Sequence, residues 1–454
     1  MKKSTLAMAV AFGVMAQQAG AAGFLEDSKA SVSSRTLYFD NDFRESGSAD
    51  NNRETATGLK FDYLSGFTQG TVGFGLDLQA LVGVHLDGGR GSHAANGGIS
   101  PTDFDSEGRA RSVNEWTRLG GNAKARFSKT ELRLGNALAP NLPILVSNDG
   151  RLLPQAFQGG VVTSKEIDNV TLTAGQLSKA IGRASSNWTD LSVNGGTEGS
   201  NTFRFAGGDW KVTKDLTLQY YYANLEDYYK QHFLGLIHVL PLGEDQSFKT
   251  DLRYFNSSSD GKNGDTGYIF NNNNGYAKNP GEVDNQTWSA MFTYSLGGHA
   301  FLVGHQQVGD DGGMVFLNQG SVTKNGTNIN EGNGGASVYL FTDAMVNSFT
   351  RAGENSTFGQ YSYDFARVGV PGLKAAIAYI HAEDIKGVQG TVNEGREFSE
   401  WERDMRVDYV IQSGPLKGFG TTVRHGTYRA DGDLNNSANT DQTRVIFNYT
   451  YAFK

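Results

Sequence analysis

The chain alternates apolar and polar residues one by one along many short segments. Near the C-terminus, in TRVIFNYTYAF, the apolar face of such a segment carries Val445, Phe447, Tyr449, Tyr451 and Phe453. The opposite face carries Arg444, Asn448 and Thr450. A period of two is that of a β-strand, whose successive side chains point to opposite faces. Such segments predict strands with one face suited to lipid and the other suited to water.

The same alternation recurs in LTLQYYYANL, NQTWSAMFTYSL, HAFLVGHQQV and WERDMRVDYVI, and we count eighteen such segments after residue 29. Short polar joints separate some of them, at residues 128–130, 167–169, 213–215, 296–298, 370–372 and 413–418. Between these lie long joints rich in Gly, Asn, Asp and Ser, at residues 87–115, 180–200, 257–284 and 309–336. Short turns at one end and long loops at the other are typical of an outer-membrane barrel.

The predicted fold is therefore all-β, a transmembrane antiparallel β-barrel of 18 strands with both termini on the periplasmic side. The mean hydropathy is −0.43. After the N-terminus no segment reaches the ~18 uncharged apolar residues of a spanning helix. A closed β-barrel is therefore the remaining way for this chain to span a membrane. A soluble β-sandwich or β-solenoid is the alternative, but the aromatic-rich faces and the unequal loops fit it poorly.

The N-terminus has the three-part form of a secretory signal peptide: Lys2 and Lys3, an apolar run over residues 6–15, and a small-residue site at residues 19–21. We expect residues 1–21 to be removed and residues 22–454 to form a single transmembrane barrel domain. A membrane anchor is the alternative, but the apolar run is shorter than the ~20 residues that a spanning helix needs.

Charge and composition exclude several classes of function. The chain has 40 Lys and Arg against 48 Asp and Glu, for a net charge of −8, and it has no cysteine. An acidic chain is unsuited to a nucleic-acid partner. Without cysteine there is no disulfide framework, thiol nucleophile or cysteine-ligated metal. The sequence also lacks the Gly-x-Ser-x-Gly nucleophile elbow, a phosphate-binding loop and the His-Glu-x-x-His zinc motif. It therefore predicts neither an enzyme nor a cofactor or metal.

One stretch breaks the alternation. Residues 138–160, LAPNLPILVSNDGRLLPQAFQGG, hold three of the eight prolines and many large apolar residues. Proline removes a backbone donor and interrupts a strand, and the stretch is too apolar for a water-exposed loop. A barrel of eighteen strands encloses a wide aqueous lumen. We therefore expect this stretch to fold inward as a constriction loop, with Asn148, Asp149 and Arg151 at its tip.

Several ordered segments resemble one family, the OprD-type substrate-specific porins of pseudomonads. The matching segments are GFLEDSKA, SGFTQGTVGFGLD, SKTELRLG, NDGRLLPQAFQGG, GVPGL and YVIQSGPLKG, spread over nearly the whole mature chain. The resemblance implies a pore, a monomer or weak oligomer, that takes up small carboxylates. It also implies inward-folded third and seventh loops and a line of arginines on one wall. Lipopolysaccharide, outer-membrane lipid and the barrel assembly machinery are the other expected partners.

Carried over residue by residue, the resemblance places the arginine line at Arg151, Arg424 and Arg444. Arg406, Lys124 and Arg126 have the lumen-facing parity of their strands and are further candidates for the substrate path. Asn41, Asp408 and Thr422 stand where relatives often have a basic residue. In the seventh loop Ser348 stands where channels for basic amino acids have an acid, and Asp343 lies five residues earlier.

A row of arginines suits carboxylate transport on physical grounds. A guanidinium presents five donors in a fixed fork and can pass a carboxylate to the next fork. Several moderate sites in series favour entry without one deep trap. Alternatively, Arg424 and Arg444 only pair with lumen acids. The expected function is uptake of small carboxylates into the periplasm. A channel for basic amino acids or small peptides is the alternative, and an outer-membrane barrel enzyme is a further one.

Overall fold

The computed structural model describes residues 23–44, 52–88, 93, 98–272, 275–318, 322–324, 327–329, 337–432, 434 and 439–453. The expected signal peptide, residues 1–21, and Lys454 lie outside the described residues. Within the described ranges, no helix is long and apolar enough to cross a membrane.

Eighteen long strands form one antiparallel sheet, as the alternation predicts. In chain order they are β1 (Lys29–Phe43), β2 (Asn52–Leu64), β3 (Val72–Asp87), β4 (Glu115–Phe127), β5 (Thr130–Leu138), β6 (Ala156–Ser164), β7 (Val170–Ile181), β8 (Phe203–Lys211), β9 (Leu216–Leu225), β10 (Tyr229–Gly243), β11 (Gln246–Ser259), β12 (Asp284–Leu296), β13 (His299–Val308), β14 (Asn355–Asp364), β15 (Leu373–Lys386), β16 (Glu397–Val410), β17 (Gly420–Ala430) and β18 (Thr440–Ala452).

The sheet closes on itself because β1 pairs with β18 as well as with β2. The closing register runs from Ser31 opposite Ala452 to Phe43 opposite Thr440. Every neighbouring pair of long strands is antiparallel, and all except the closing pair of β1 and β18 are consecutive in the chain. The predicted barrel and its strand number are therefore confirmed.

The two ends of the barrel differ in the length of their connections. At the end that carries both termini, the connections are short, and β10 and β11 are joined by residues 244–245 alone. At the opposite end, residues 88–114, 139–155, 182–202, 260–283 and 309–354 form the second, third, fourth, sixth and seventh loops. The predicted asymmetry is confirmed, and the long loops have the length to reach into the lumen.

The outward face is apolar, and part of the inward face is apolar as well. Outward residues such as Leu234, Phe301 and Tyr451 are exposed, as lipid-facing residues are in a barrel. The inward side chains of β8–β11, by contrast, are buried in a large apolar cluster. This cluster contains Phe203, Phe205, Tyr221, Ala223, Leu225, Tyr229, Phe233 and Phe255 from the wall, Ile144 and Leu145 from the third loop, Leu191 and Val193 from the fourth, and Val338 and Leu340 from the seventh. The inner surface of the barrel is therefore not exposed to water throughout, because the inward loops cover this part of the wall.

The third loop folds inward, as its composition predicts, but it is shorter than the interrupted stretch suggests. Leu152 and Leu153 are buried against Leu37 and Phe39, whose side chains point inward from β1. Residues 156–160 already belong to β6. A bulge between Gln158 and Gly159 shifts the register there, so the alternation is still interrupted just after the loop ends.

Gly58 on β2 makes room for this packing. A β-carbon at this position would lie 2.9 Å from Cδ2 of Leu153 and 3.2 Å from Cγ of Leu152. Only a residue without a side chain lets the loop approach the wall this closely. The inward fold of the third loop thus depends on a small residue on the facing strand.

Phe453 provides a test of barrel closure. Its N–H donates to the carbonyl of Ala30 at 2.8 Å, and its ring packs edge-on against Tyr451 while 59% of the residue is exposed. Phe453→Ala keeps the backbone bond but removes an aromatic group facing lipid, a loss of about 1.5–3 kcal/mol. We expect a smaller fraction of chain to fold, measured by the mobility shift between heated and unheated samples in electrophoresis.

Phe104→Ala is the matched control, since Phe104 is 58% exposed on the short Thr102–Phe104 strand of the second loop and outside the barrel sheet. Equal folding yields of the two variants would show that the C-terminal aromatic does not contribute to closure.

Candidate functional site

The third and seventh loops meet inside the barrel. Val146 of the third loop pairs with Ser337 of the seventh in an isolated antiparallel bridge. The third loop is fixed to the wall by its buried leucines, and the seventh by Phe349, which packs against Phe358 of β14 and Ile380 of β15. The two loops together form a shelf across part of the lumen, and we call the region where this shelf faces β16–β18 the constriction.

Two carboxylates of β16 hold the seventh loop. Glu402 accepts hydrogen bonds from the N–H groups of Val346 and Asn347 at 2.7 and 2.9 Å. Asp404 accepts one from the N–H of Met345 at 3.1 Å. Both acids therefore satisfy loop backbone groups that would otherwise lack partners in the lumen. These two acids therefore stabilise the seventh loop.

Three arginines form a row across the facing wall. Arg406 on β16 lies directly opposite Arg424 on β17, which lies directly opposite Arg444 on β18. Directly opposed residues have β-carbons about 4.5–5.5 Å apart, and like charges in such positions destabilise a sheet. Because barrel strands are tilted, a row perpendicular to them climbs obliquely along the pore. The sequence placed these three residues on the inward face but did not reveal that they are neighbours.

Arg444 binds both inward loops. Its guanidinium donates to the carbonyl of Gly150 in the third loop at 3.3 Å and to that of Met345 in the seventh at 2.7 Å. It also donates to Gln442 Oε1 at 2.8 Å through Nε. The residue is only 5% exposed. Arg444 thus anchors the shelf to the wall while contributing its charge to the constriction.

Arg406 and Arg424 differ in their partners. Arg406 is exposed and grips Asp408 with two hydrogen bonds of 2.7 and 2.8 Å, and Asp408 also accepts from Thr422 at 2.6 Å. Arg424 is half-buried and, among the described residues, has no hydrogen-bond or ion-pair partner. Within the row, Arg424 is therefore the guanidinium most available to a solute.

Arg151 and Arg183 add positive charge from the loop side. The guanidinium of Arg151 lies over the ring of Phe39, 4.3 Å from its centroid, and its buried Nε has no partner in the described part of the chain. Burial, followed by the charges of Arg444, Arg183 and Arg424, lowers the pKa of Arg151. Burial also lowers the pKa of Arg183 to about 10. Geometry brings Arg444 close to the other three: it also lies 5.7 Å from the centroid of the Phe39 ring, it is opposite Arg424, and its Nη1 and that of Arg183 lie 4.0 and 3.7 Å from the β-carbon position of Gly150. An anion among these four guanidinium groups would relieve their mutual repulsion.

The predicted tip residues of the third loop are held by arginines. Asn148 Oδ1 accepts from Arg183 at 3.2 Å and from the N–H of Gly150 at 2.8 Å. Both carboxylate oxygens of Asp149 bind Arg35, at 2.7 and 3.1 Å. Asp149 is thus compensated by an arginine of β1, and its charge does not oppose that of Arg151.

The two candidate residues of the seventh loop have different surroundings. Asp343 is half-buried and accepts from the N–H of Val338 at 3.2 Å. Burial raises its pKa to about 6, although the charges of Arg183 and Arg444 act in the opposite direction. Ser348 lies with its Oγ 3.4 Å from Oγ1 of Thr350, and its carbonyl accepts from Thr342. Of these two residues, only Asp343 can carry a negative charge beside the arginines.

Lys124 and Arg126 lie away from the constriction, near the short-turn end of β4. Lys124 is buried, with Nζ 2.7 Å from both Asp77 Oδ1 and the Ser65 carbonyl. Arg126 is exposed, and its guanidinium lies 4.2 Å from the centroid of the Phe67 ring. The structure does not bring either residue together with the arginine row.

Three arginines that bind the inward loops escape the sequence analysis: Arg35, Arg118 and Arg183. Arg35 has the same inward parity as Leu37 and Phe39 on β1, so alternation alone could have indicated it. Arg118 has the inward parity of β4, but its partners belong to loops. Arg183 lies in the fourth loop, where no periodicity gives a direction to its side chain.

The aspartates of the second loop near residue 104 pair with arginines of the same loop. Asp103 pairs with Arg111, and Asp105 pairs with Arg109. Within the ranges that the structure describes, no group of three or more His, Asp or Glu residues could hold a metal ion.

Comparison with known proteins gives one consistent result. The model of the outer membrane porins of the OprD family matches residues 22–453. Porin D of Pseudomonas aeruginosa is 31% identical over 99% of this chain and 98% of its own length. The crystal structure of P. aeruginosa OccK8 (OprE) has a TM-score of 0.81 and 42% identity, with 95% of this chain and all of that chain covered. P. aeruginosa OpdK, solved with vanillate, has a TM-score of 0.78 and 31% identity, covering 95% of this chain and 100% of its own.

Arg444 provides a test of the shelf. Arg444→Ala removes one positive charge and frees the carbonyls of Gly150 and Met345, so we expect both loops to loosen and single-channel conductance to rise. Recordings in planar bilayers measure this directly. Arg424→Ala is the control, because Arg424 has no loop partner among the described residues. A rise of equal size in the control would show that the loss of charge, and not the release of the loops, changes the conductance.

Proposed function

The chain belongs to the OprD family of outer membrane porins, and from that membership we propose that it admits small carboxylate-bearing nutrients selectively into the periplasm. Porins of this family take up nutrients across the outer membrane. One observation carries the finer proposal: four guanidinium groups converge where the inward loops face the wall, while the nearest wall acids are bound to loop N–H groups. The narrowed passage therefore presents more available positive than negative charge.

The available groups suit a carboxylate. Arg424 is half-buried and has no partner among the described residues, so its donors are open to a solute. A carboxylate can accept two parallel hydrogen bonds from one guanidinium, in a geometry that a halide cannot reproduce. Arg444 keeps most of its donors on the protein, so it supplies charge with weaker direct binding. Arg183 gives one bond to Asn148 and can turn its remaining donors to the solute. This combination gives moderate binding with release, as conduction requires.

The bonding of the acids at the constriction argues against a preference for cationic solutes. Glu402 and Asp404 accept hydrogen bonds from the seventh loop, and Asp149 is bound by Arg35. Channels for basic amino acids have an acid at the position of Ser348, and Ser348 itself is uncharged. Asp343 is less engaged by the protein, and its charge is offset by Arg183 and Arg444. OpdK, one of the similar structures, was solved with vanillate, an aromatic carboxylate, which supports the same class of solute.

The remaining parts of the proposal concern export and assembly. We infer that residues 1–21 are cleaved as a signal peptide and that residues 22–454 form one barrel inserted by the barrel assembly machinery. The barrel closes within one chain, so each chain can conduct as a monomer, with lipopolysaccharide and phospholipid around its outer face.

Arg424→Ala is the direct test of the carboxylate proposal. Losing a charge-assisted hydrogen bond of about 1.5 kcal/mol should weaken benzoate binding roughly tenfold. Flux of an uncharged sugar should change little. Binding is measured from the benzoate dependence of channel block, and flux from liposome swelling. Arg406→Ala is the matched control, since Asp408 already grips that guanidinium. Equal loss of benzoate and sugar flux, or stronger competition by arginine than by benzoate in the wild type, would refute the proposal.

Asp343 gives the expected pH dependence. With a pKa of about 6, its carboxyl is charged at pH 7.5 and mostly neutral at about pH 5. Acidification therefore removes a negative charge from beside Arg183 and Arg444, and anion selectivity should increase. The measurement is the reversal potential in a salt gradient at both pH values. Asp343→Asn should be more anion-selective at neutral pH and should lose most of the change between them. An unaltered pH response in this variant would assign the titration to another group.

A further inference from the structure

Arg118 is a buried cation without a carboxylate partner in the described part of the chain. It lies on β4 with its side chain inward and is 6% exposed. Its guanidinium donates to the carbonyls of Ser185, Pro154 and Arg183 at 2.7, 2.7 and 2.8 Å, and to that of Gly182. A buried charge costs free energy unless it is compensated. Here the compensation is a ring of backbone carbonyls from two loops.

Three of these carbonyls come from one tight turn of the fourth loop. Residues 182–187 are enclosed by the pairs Ala180 with Thr189 and Ile181 with Trp188. Within this turn the carbonyls of residues 182, 183 and 185 all point to one guanidinium. A turn whose carbonyls converge in this way would bring several dipoles into repulsion if the cation were removed. The conformation of the turn therefore depends on Arg118.

The same guanidinium reaches the constriction by two routes. Through the carbonyl of Arg183 it fixes the backbone from which that side chain extends to Asn148, 3.2 Å away. Through the carbonyl of Pro154 it fixes the end of the third loop, next to the buried Leu152 and Leu153. Arg118 touches neither Asn148 nor the arginine row in any hydrogen bond, so its effect on a solute is indirect.

We propose that Arg118 is a positioning residue of the constriction, whose bonds to loop carbonyls aim the Arg183 side chain at the solute path. The part that concerns the solute rests on the proposed function. The geometry required is that of a planar fork with several donors, which a lysine ammonium on a flexible stem cannot reproduce. A positive charge at position 118 is thus necessary but not sufficient to hold the turn, which also requires the planar, multiple-donor geometry of a guanidinium.

The first experiment compares benzoate binding in full-length channels carrying Arg183→Gln, Arg118→Met, Arg118→Lys and the double change Arg118→Met with Arg183→Gln. Folding is checked by heat-dependent electrophoretic mobility. Arg183→Gln should weaken benzoate binding roughly tenfold, the effect of one charge-assisted hydrogen bond. Each Arg118 variant should weaken it to a similar extent, and the double variant should show no further loss. Additive losses, or wild-type binding in Arg118→Lys, would overturn the proposal.

A second measurement is independent of the solute. The chain has no cysteine, so Ser186→Cys, at an exposed position of the turn, gives a single site for a spin label. We expect the label to become more mobile in Arg118→Met and Arg118→Lys and to stay unchanged in Arg183→Gln. A label that remains immobile in both Arg118 variants would contradict the positioning role. If the label responds but the wild type does not bind benzoate, the proposed carboxylate function fails while the positioning role stands.

Discussion

The whole molecule depends on the closing of one backbone ladder. In hydrocarbon a peptide group without a partner costs several kcal/mol, so a sheet can span a membrane only if it has no free edge. Here β1 meets β18 over the register from residues 31–43 to residues 440–452. Once the wall is closed, the side chains that point inward have no contact with lipid, and they must be covered by water or by other parts of the chain. The placement of every loop and charge described above follows from that enclosure.

Enclosure also explains how the acids and bases of the lumen divide their roles. A loop that enters the barrel brings N–H and carbonyl groups that need partners. On β16, Glu402 and Asp404 meet N–H groups of the seventh loop. Arg444 and Arg118 meet carbonyls of the third, fourth and seventh loops. Glu402 accepts two N–H groups and Asp404 accepts one, whereas Arg424 is left without a described partner. A chain with a negative net charge can in this way present a positive passage.

Much of the architecture could be predicted from the sequence because it depends on local pattern. The period of two predicted the strands, and the prolines and large apolar residues of residues 138–160 indicated the inward loop. Parity placed Arg424 and Arg444 in the lumen, although their direct opposition required the register. Partners were harder to predict. Lys124 was correctly placed on the inward face, yet its ion pair with Asp77 depends on the neighbouring strand. Arg183 could not be assigned, since the turn that carries it is shaped by Arg118, which lies 65 positions earlier in the chain.

The apolar cluster on β8–β11 lies across the barrel from β17, since β8 and β17 are half a circumference apart among the eighteen strands. One side of the lumen is therefore filled, and the other carries guanidinium groups. In the proposed function the two sides set different properties: we expect the bulk of the aromatic filling to limit the size of a solute and the arginines to select its charge. A solute with a charged end and an apolar end would travel between unlike walls with a fixed orientation, so the passage can discriminate by molecular shape and polarity together.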